Sequence, residues 1–335
     1  MMRLGITIPF EPFQNRYFAD LVRTADRAGY TDAWSYESFS TDAFAPLAAA
    51  AMLTDRMRFG TAIVPVFSRS PALIAMSAVT TQNLTNGRFI LGLGISTPNI
   101  MENWMGVPFR KPVTQLRETV EALRAIFRGE KVTMAGKMIR INGFKLDIPI
   151  EKPPPIYIGA QGAQMLRLAG EIGDGVIVNF ITPETLPPML DQTRDAMRAA
   201  GKEPASLDVA CRIIVAVDED EATIRSALRR SLTAYVTVPQ YNKFFHEIGY
   251  AREAEIAIDA WNAGDRKKAL ASISEDMVEK IFVFGTPEQC RRRLDAYSRA
   301  GITTSALQFT SLARTPEERR ARVLRAVERL AAAQA

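Results

Sequence analysis

Short apolar runs recur along the chain, and each is followed by a longer stretch in which apolar residues return at helical spacing. The short runs are rich in β-branched and aromatic residues and poor in charge, which is typical of buried strands. They predict eight strands: Arg3–Ile8, Thr31–Ser35, Arg58–Val64, Arg88–Leu93, Pro155–Ala160, Gly175–Phe180, Leu207–Val217 and Thr304–Phe309.

The stretches between these runs carry helix start and stop signals. "FADLVRTADRAGY" ends at Gly29, and "SPALIAMSAVTTQNLTNG" begins with Ser-Pro and ends at Gly87. Eight alternating strands and helices predict an α/β fold with a parallel sheet, closed as a (β/α)8 TIM barrel. A doubly wound sheet is the alternative, but "ITIPFEPFQ" lacks the glycine-rich turn that such a sheet carries after its first strand. We therefore expect a single domain over residues 1–335, with insertions near 131–154 and 237–280 at the C-terminal mouth.

The run "FILGLGIST" resembles part of a dinucleotide-binding fingerprint. That fingerprint requires three glycines opening a helix, whereas here Thr97 takes the third position and Pro98 follows. The pattern therefore favours a tightly packed strand end.

Composition narrows the class of protein. The net charge of +5 comes from basic residues interspersed with acids on helical stretches, which favours a solvated surface over a nucleic-acid face. Two distant cysteines and one histidine, His246, cannot build a structural zinc site, and we expect no metal. We interpret His246 as a partly buried helix residue. No apolar stretch is long enough to span a bilayer and no secretory signal opens the chain, so we expect a cytoplasmic protein.

In a barrel, the active site lies at the C-terminal ends of the strands. Those positions carry glycines, amides and hydroxyls but no histidine, cysteine or lysine; they are Pro9, Glu11, Tyr36–Ser38, Ala62–Ser68, Gly94–Asn99, Ala160–Gly162, Asn179, Phe180, Gln308 and Thr310. Such walls suit a flat cofactor that supplies its own reactivity. "GAQGAQ" leads from a strand into a helix, so its amides can face a phosphate, although a plain turn fits the spacing equally well.

Several longer stretches resemble the luciferase-like monooxygenase superfamily, in its branch of oxidoreductases that use the deazaflavin coenzyme F420. They are "FGTAIVPVFSRSPALIAMSAVTTQNLTNGRFILGLGIS", "ENWMGVPFRKP", "PPPIYIGAQG", "LAGEIGDGVIVN" and "VFGTPEQCRRRL". The resemblance implies a (β/α)8 barrel in which "FILGLG" is the fourth strand. It also implies a non-proline cis peptide at Ala62–Ile63, forming a bulge behind the cofactor ring.

By the same resemblance, we expect a set of residues to hold the cofactor: Ser38, Ala62, Ile63, Val64, Gly94, Gly159, Ala160, Gln161, Gly162, Asn179 and Phe180. The catalytic candidates are Glu37, Thr97 and Glu102. Many members have an acid-His pair where this chain reads Glu37-Ser38, and the F420-dependent sugar dehydrogenases have a glutamate where it reads Thr97. Both departures disfavour a sugar-phosphate dehydrogenase and a luciferase that depends on that histidine.

Three functions stay open at this point. The first is hydride transfer between F420 and a small organic substrate. The second is an FMN-dependent monooxygenase, because the same barrel serves both. The third is a cofactor-binding barrel without turnover. The resemblance also implies a homodimer, in which the small apolar residues of "TDAFAPLAAAAML" and "SPALIAMSAVT" would pack.

Overall fold

The computed structural model describes residues 2–8, 15–37, 41–148 and 150–332. The strands in this part of the chain are β1 (Arg3–Thr7), β2 (Asp32–Ser35), β3 (Arg58–Thr61), β4 (Val64–Pro65), β5 (Phe89–Gly94), β6 (Val132–Ala135), β7 (Arg140–Phe144), β8 (Ile156–Gly159), β9 (Gly175–Asn179), β10 (Asp208–Val217), β11 (Val283–Gly285) and β12 (Thr304–Phe309).

The helices in the same ranges are α1 (Asn15–Arg27), α2 (Ala45–Ala51), α3 (Pro71–Leu84), α4 (Pro112–Phe127), α5 (Ala163–Ile172), α6 (Leu186–Ala199), α7 (Glu221–Val236), α8 (Pro239–Glu247), α9 (Ala251–Asn262), α10 (Arg266–Ser272), α11 (Glu275–Ile281), α12 (Pro287–Ala300) and α13 (Pro316–Ala332). A π-helix spans Asn99–Trp104, and a 3₁₀ turn spans Pro204–Ser206.

Parallel pairing closes the main sheet into a barrel. The order is β1-β2-β3-β5-β8-β9-β10-β12, and β12 pairs again with β1. The predicted (β/α)8 barrel is therefore confirmed. Each predicted strand is present within one or two residues of its expected bounds, except the third, which is interrupted. It divides into β3 and β4 around a cis peptide at Ala62–Ile63, so the predicted cis bond is also confirmed.

Glycines make room inside the barrel for large side chains and close strands. A Cβ at Gly60 would lie 2.3 Å from the Trp34 ring, and one at Gly92 would lie 1.8 Å from the carbonyl oxygen of Thr61. Trp34 is 1% exposed and packs in the barrel interior with Ile90 and Tyr157. The "FILGLG" glycines thus serve close packing between strands, as the missing third glycine predicts.

The N-terminal end of the barrel holds a network of charged side chains. Arg3 donates to both carboxylate oxygens of Asp208, at 2.6 and 2.7 Å. Arg58 donates to Oδ1 of Asp32 at 2.9 and 2.5 Å, and its Nη1 lies 3.6 Å from Asp208. The Tyr157 hydroxyl donates to Asp208 at 2.6 Å. Each of these charges therefore has a partner of opposite sign.

Two segments depart from the strand–helix alternation. Residues 131–154 contain the antiparallel pair β6–β7, whose connecting turn is held by Glu118 of α4 through backbone N–H groups at 2.8 Å. Residues 237–280 contain α8, α9, α10 and most of α11. None of the helices within the described ranges is long and apolar enough to cross a membrane.

Candidate active site

Ile63 forms an apolar wall at the C-terminal mouth of the barrel. A Cβ at Gly94 would lie 2.8 Å from Cγ1 of Ile63, and one at Gly159 would lie 3.0 Å from its Cγ2. Gly94 ends β5 and Gly159 ends β8, so the absence of two side chains lets Ile63 lie against both strands. Ala62 donates its N–H to the Ser35 carbonyl at 2.6 Å, and the buried Val64 pairs with β5, which fixes the wall on both sides.

The turn after β8 presents a helix N-terminus beside this wall. Ala160 is buried and donates its N–H to the Ile177 carbonyl at 2.9 Å, which ties the turn to β9. Gly162 precedes α5 and gives it no side-chain cap. The first N–H groups of a helix lack intrahelical partners, so this end of α5 is suited to an anion. Gln161 spans to β9, donating to Oδ1 of Asn179 at 2.5 Å.

Phe180 follows β9 in a left-handed conformation, with φ of 52°. A bulky residue adopts that conformation only where its surroundings enforce it. Here its ring is 4.4 Å from that of Tyr235 between centroids, 5.8 Å from Tyr241 and 6.2 Å from Phe245. Tyr235 lies in the last turn of α7 and the other two rings belong to α8, so the insertion helix α8 packs over the end of β9.

Glu37 lies at the mouth in a polar cluster. Its backbone N–H donates to the Ile63 carbonyl at 3.1 Å. Arg69 donates to Oε2 at 2.7 and 3.0 Å, and Ser68 donates to Oε1 at 3.1 Å. Arg69 also pairs with Asp42. Burial lowers the pKa of Arg69, but the hydrogen bonds and charges of Glu37 and Asp42 outweigh it and raise the pKa above its usual value.

Thr97 and Glu102 lie on the segment after β5. Thr97 is buried, and its hydroxyl accepts from the Ile100 N–H at 3.4 Å, at the start of the π-helix. Glu102 is exposed, and its Oε1 accepts from the Phe109 N–H at 3.1 Å. Single π-helical turns are frequent at functional sites. Pro9, Glu11 and Ser38 lie outside the described residues.

His246 is on α8 with its side chain 43% exposed, and its Nε2 lies 2.8 Å from Glu255 of α9. It is thus a helix residue, as interpreted from the sequence, although it is more exposed than expected.

Arg212 is a mouth residue that sequence reasoning missed. It pairs in register with Asn179 of β9 and Ala306 of β12. Its guanidinium carbon lies 4.8 Å from the centroid of the Tyr36 ring, just after β2. Its charge also reaches Tyr241, whose pKa is raised by burial and partly lowered again by Arg212. The available signal was a single arginine inside the apolar run "LDVACRIIVAV".

The mouth fits a flat cofactor with a phosphate-bearing chain. Gly94 and Gly159 leave room for the Ile63 side chain against both strand ends, and Ile63 remains partly exposed, so it can support a ring. The uncapped start of α5 fits a phosphate, and the Gln161 and Asn179 amides fit hydroxyls of the connecting chain. These features are independent of one another and all lie at one end of the barrel.

A family model for the luciferase-like monooxygenases matches residues 2–304. The protein belongs to this family.

Two curated relatives match over nearly the whole chain. A 5,10-methylenetetrahydromethanopterin reductase from Methanolobus tindarius is 30% identical over 307 residues, covering 90% of this chain and 92% of the relative. A putative coenzyme F420-dependent oxidoreductase from Mycobacterium tuberculosis is 27% identical over 327 residues, covering 90% and 93%.

Solved structures show the same fold. The F420-dependent tetrahydromethanopterin reductase from Methanopyrus kandleri is 24% identical with a TM-score of 0.79, covering 98% of this chain and 97% of its own. An F420-dependent secondary alcohol dehydrogenase, solved with an F420–acetone adduct, is 20% identical with a TM-score of 0.81, covering 99% and 97%. At these identities the agreement concerns the barrel and its connections.

Proposed function

We propose that this oxidoreductase transfers a hydride between coenzyme F420 and a small organic substrate. The observation that carries the proposal is the pairing, at one mouth, of the partly exposed Ile63 wall with the uncapped N-terminus of α5. Family membership and the names of the two curated relatives support the reaction class. When bound, F420 supplies a carbon hydride carrier in place of the flavin N5, and it reacts poorly with oxygen.

The residues of the protein would bind the cofactor and orient its ring. Ile63, with Ala62 and Val64, would support the ring on one face, since the glycines at the ends of β5 and β8 let Ile63 lie against both strands while it remains partly exposed. Gly159–Gly162 and Asn179 would bind the phosphate and the chain that carries it. Phe180 would close the site on the α8 side, because its ring belongs to the cluster that joins α8 to β9. These contacts would exclude water from the reacting side.

Glu37 is our proposed group for proton exchange, with Thr97 and Glu102 as further candidates. Its carboxylate is 10% exposed and is fixed by Arg69 and Ser68, so its position is set before a substrate arrives. Thr97 can still donate its hydroxyl proton, because the contact with Ile100 uses only an oxygen lone pair. Glu102 is exposed and would act through water.

An FMN-dependent monooxygenase is the second candidate, favoured by the family itself, whose fold serves flavin chemistry as well. A barrel that binds cofactor without turnover is the third. Anaerobic titrations with F420 and with FMN separate the first two. We expect tight F420 binding and weak FMN binding. Equally tight FMN binding without measurable F420 binding would replace our proposal with the monooxygenase. Bound F420 without turnover on any substrate would favour the third.

Changing Glu37 to Gln tests its role. If the carboxylate exchanges a proton, turnover should fall about 10²- to 10⁴-fold while F420 affinity stays within about tenfold, since the phosphate contacts lie elsewhere. Steady-state rates and F420 titrations measure the two quantities. Arg69→Lys is the matched control, because it keeps a cation beside Glu37 but loses the bidentate contact. Normal turnover of Glu37→Gln would make the residue structural and leave Glu102 or a water as the proton donor.

We also propose that the protein is a homodimer. Leu73 and Met76 of α3 are 41% and 44% exposed, and Met52 after α2 is 75% exposed, so these neighbouring helices present apolar side chains to solvent. Light scattering should give about twice the chain mass of 37.1 kDa, and Met76→Glu should shift the mass to the monomer. A monomeric wild-type protein at working concentration would exclude the dimer.

A further inference from the structure

The mouth of the barrel has two halves with different chemistry. The Ile63 wall rests on β5 and β8, on one side of the opening. Arg212 projects from β10 toward Tyr36 after β2, across the ends of β12 and β1, which run between those two strands. A substrate that lies over these strand ends would therefore meet Arg212.

Arg212 has capacity for an anion. No carboxylate among the described residues forms an ion pair with it, and its described ring contact is the face of Tyr36. The nearby acid Glu37 is already satisfied by Arg69. A guanidinium that is partly buried without a carboxylate retains its forked set of donors, which match a carboxylate bidentately.

Aromatic rings adjoin this cation. Arg212 is close enough to Tyr241 for its charge to act there, and Tyr241 contacts the rings of Phe180 and Tyr235 at 5.8 and 5.2 Å between centroids. Such rings suit a flat apolar body next to a charged group. The charge and the rings together favour a ligand that has both an anionic group and a flat apolar body.

We propose that Arg212 binds the carboxylate of the organic substrate, so that the enzyme acts on an organic acid whose flat apolar part lies against Tyr36 and Tyr241. This inference rests on the proposed function, since it assigns the substrate class of the same site. Arg212 is then the specificity-determining residue, and it selects acids over neutral analogues of the same shape.

The test uses benzoate and its neutral analogue benzamide as probes. Both are titrated into the full-length protein, with and without F420, and binding is followed by tyrosine and tryptophan fluorescence. We expect benzoate to bind and benzamide to bind at least tenfold more weakly, because a charge-assisted hydrogen bond is lost. Arg212→Gln should weaken benzoate binding at least tenfold and leave benzamide binding unchanged. The benzoate affinity of Arg212→Lys should lie between those of the wild type and Arg212→Gln. Arg230→Gln, an exposed arginine on α7, is the matched control and should bind benzoate normally.

Several results would overturn the assignment. Equal binding of benzoate and benzamide, or unchanged benzoate binding by Arg212→Gln, would remove the carboxylate site. If Arg212→Gln weakened F420 binding instead of benzoate binding, the guanidinium would face the cofactor. If inorganic phosphate displaced benzoate at equal concentration, the site would be a phosphate site. Thermal unfolding of each variant verifies that it is folded. The F420 titration of the wild type tests the proposed function separately, so benzoate binding that depends on Arg212 stands even if F420 fails to bind.

Discussion

At the N-terminal end of the barrel Arg3 and Arg58 each meet a carboxylate, whereas at the C-terminal end Arg212 meets the ring of Tyr36. The first set of charges is saturated by hydrogen bonds within the fold. The second retains donors that a ligand can use. In a barrel the first end carries stability and the second carries chemistry. At the mouth Arg69 is also paired, with Glu37, whereas Arg212 lies against a ring and keeps its donors.

The largest expected difference between the two ends is in stability. Arg58→Met should lower the free energy of unfolding by about 3–5 kcal/mol, because Asp32 is 1% exposed and would lose its partner. Urea unfolding measures it.

Arg212→Met is the matched variant at the other end. We expect it to cost about 1 kcal/mol or less, since among the described residues it removes a contact with a ring face and no ion pair. An equal loss in both variants would show that the two ends do not differ in this way.

The glycines offer the next contrast. Gly94→Ala at the mouth should push Ile63 out of place and lower F420 affinity by about 1–3 kcal/mol, the range of overpacking. Gly60→Ala, nearer the N-terminal end of the barrel at the level of Ile90, should instead disturb Trp34 and lower stability while F420 affinity stays within about threefold. F420 titrations and urea unfolding of both variants distinguish the two effects. Loss of affinity in Gly60→Ala alone would place the cofactor wall elsewhere.

The last expected difference is in the pH dependence of stability, below about 2 kcal/mol. Burial alone raises the pKa of Asp208, but hydrogen bonds from Thr303 and Tyr157 and the charges of Arg3 and Arg58 bring it below its usual value. The stability that Asp208 contributes is therefore present above its unfolded pKa of about 4 and is lost as pH falls through the lower folded value.

Asp208→Asn should accordingly be less stable than the wild type at pH 7, and the difference should narrow on acidification. Asp32 has the opposite pH dependence. Burial raises its pKa despite the charge of Arg58, so the stability that Asp32 contributes weakens as the pH rises through that raised value. Urea midpoints of the wild type and of Asp208→Asn between pH 7 and pH 3 measure how the stability of each protein changes with pH. A gap for Asp208→Asn that widens in acid would contradict the assignment.

Local pattern predicted most of the barrel. Strands such as Thr304–Phe309 were recovered at their full bounds, because burial on both faces leaves a run of apolar residues that few other structures use. The third strand was predicted as continuous, and it divides at Ala62–Ile63. The resemblance supplied that bond, since apolar periodicity is the same on either side of it.

The site was predicted less completely. Positions such as Gly94 and Asn179 follow from their place at strand ends, because a barrel brings those ends together whatever the intervening sequence. Gly159 comes from the resemblance alone. Arg69 as the partner of Glu37 was not predicted, since the two lie on different connections.

The number of strands, the parallel barrel and the end at which chemistry lies follow from residue types at regular local spacing. The pairing of charges depends instead on the closed barrel. Arg58 and Arg212 are each a single arginine in a strand, yet closure of the barrel brings one beside Asp32 and the other beside Tyr36. That outcome depends on distances between strands that are far apart in the chain, and local residue spacing carries no information about those distances.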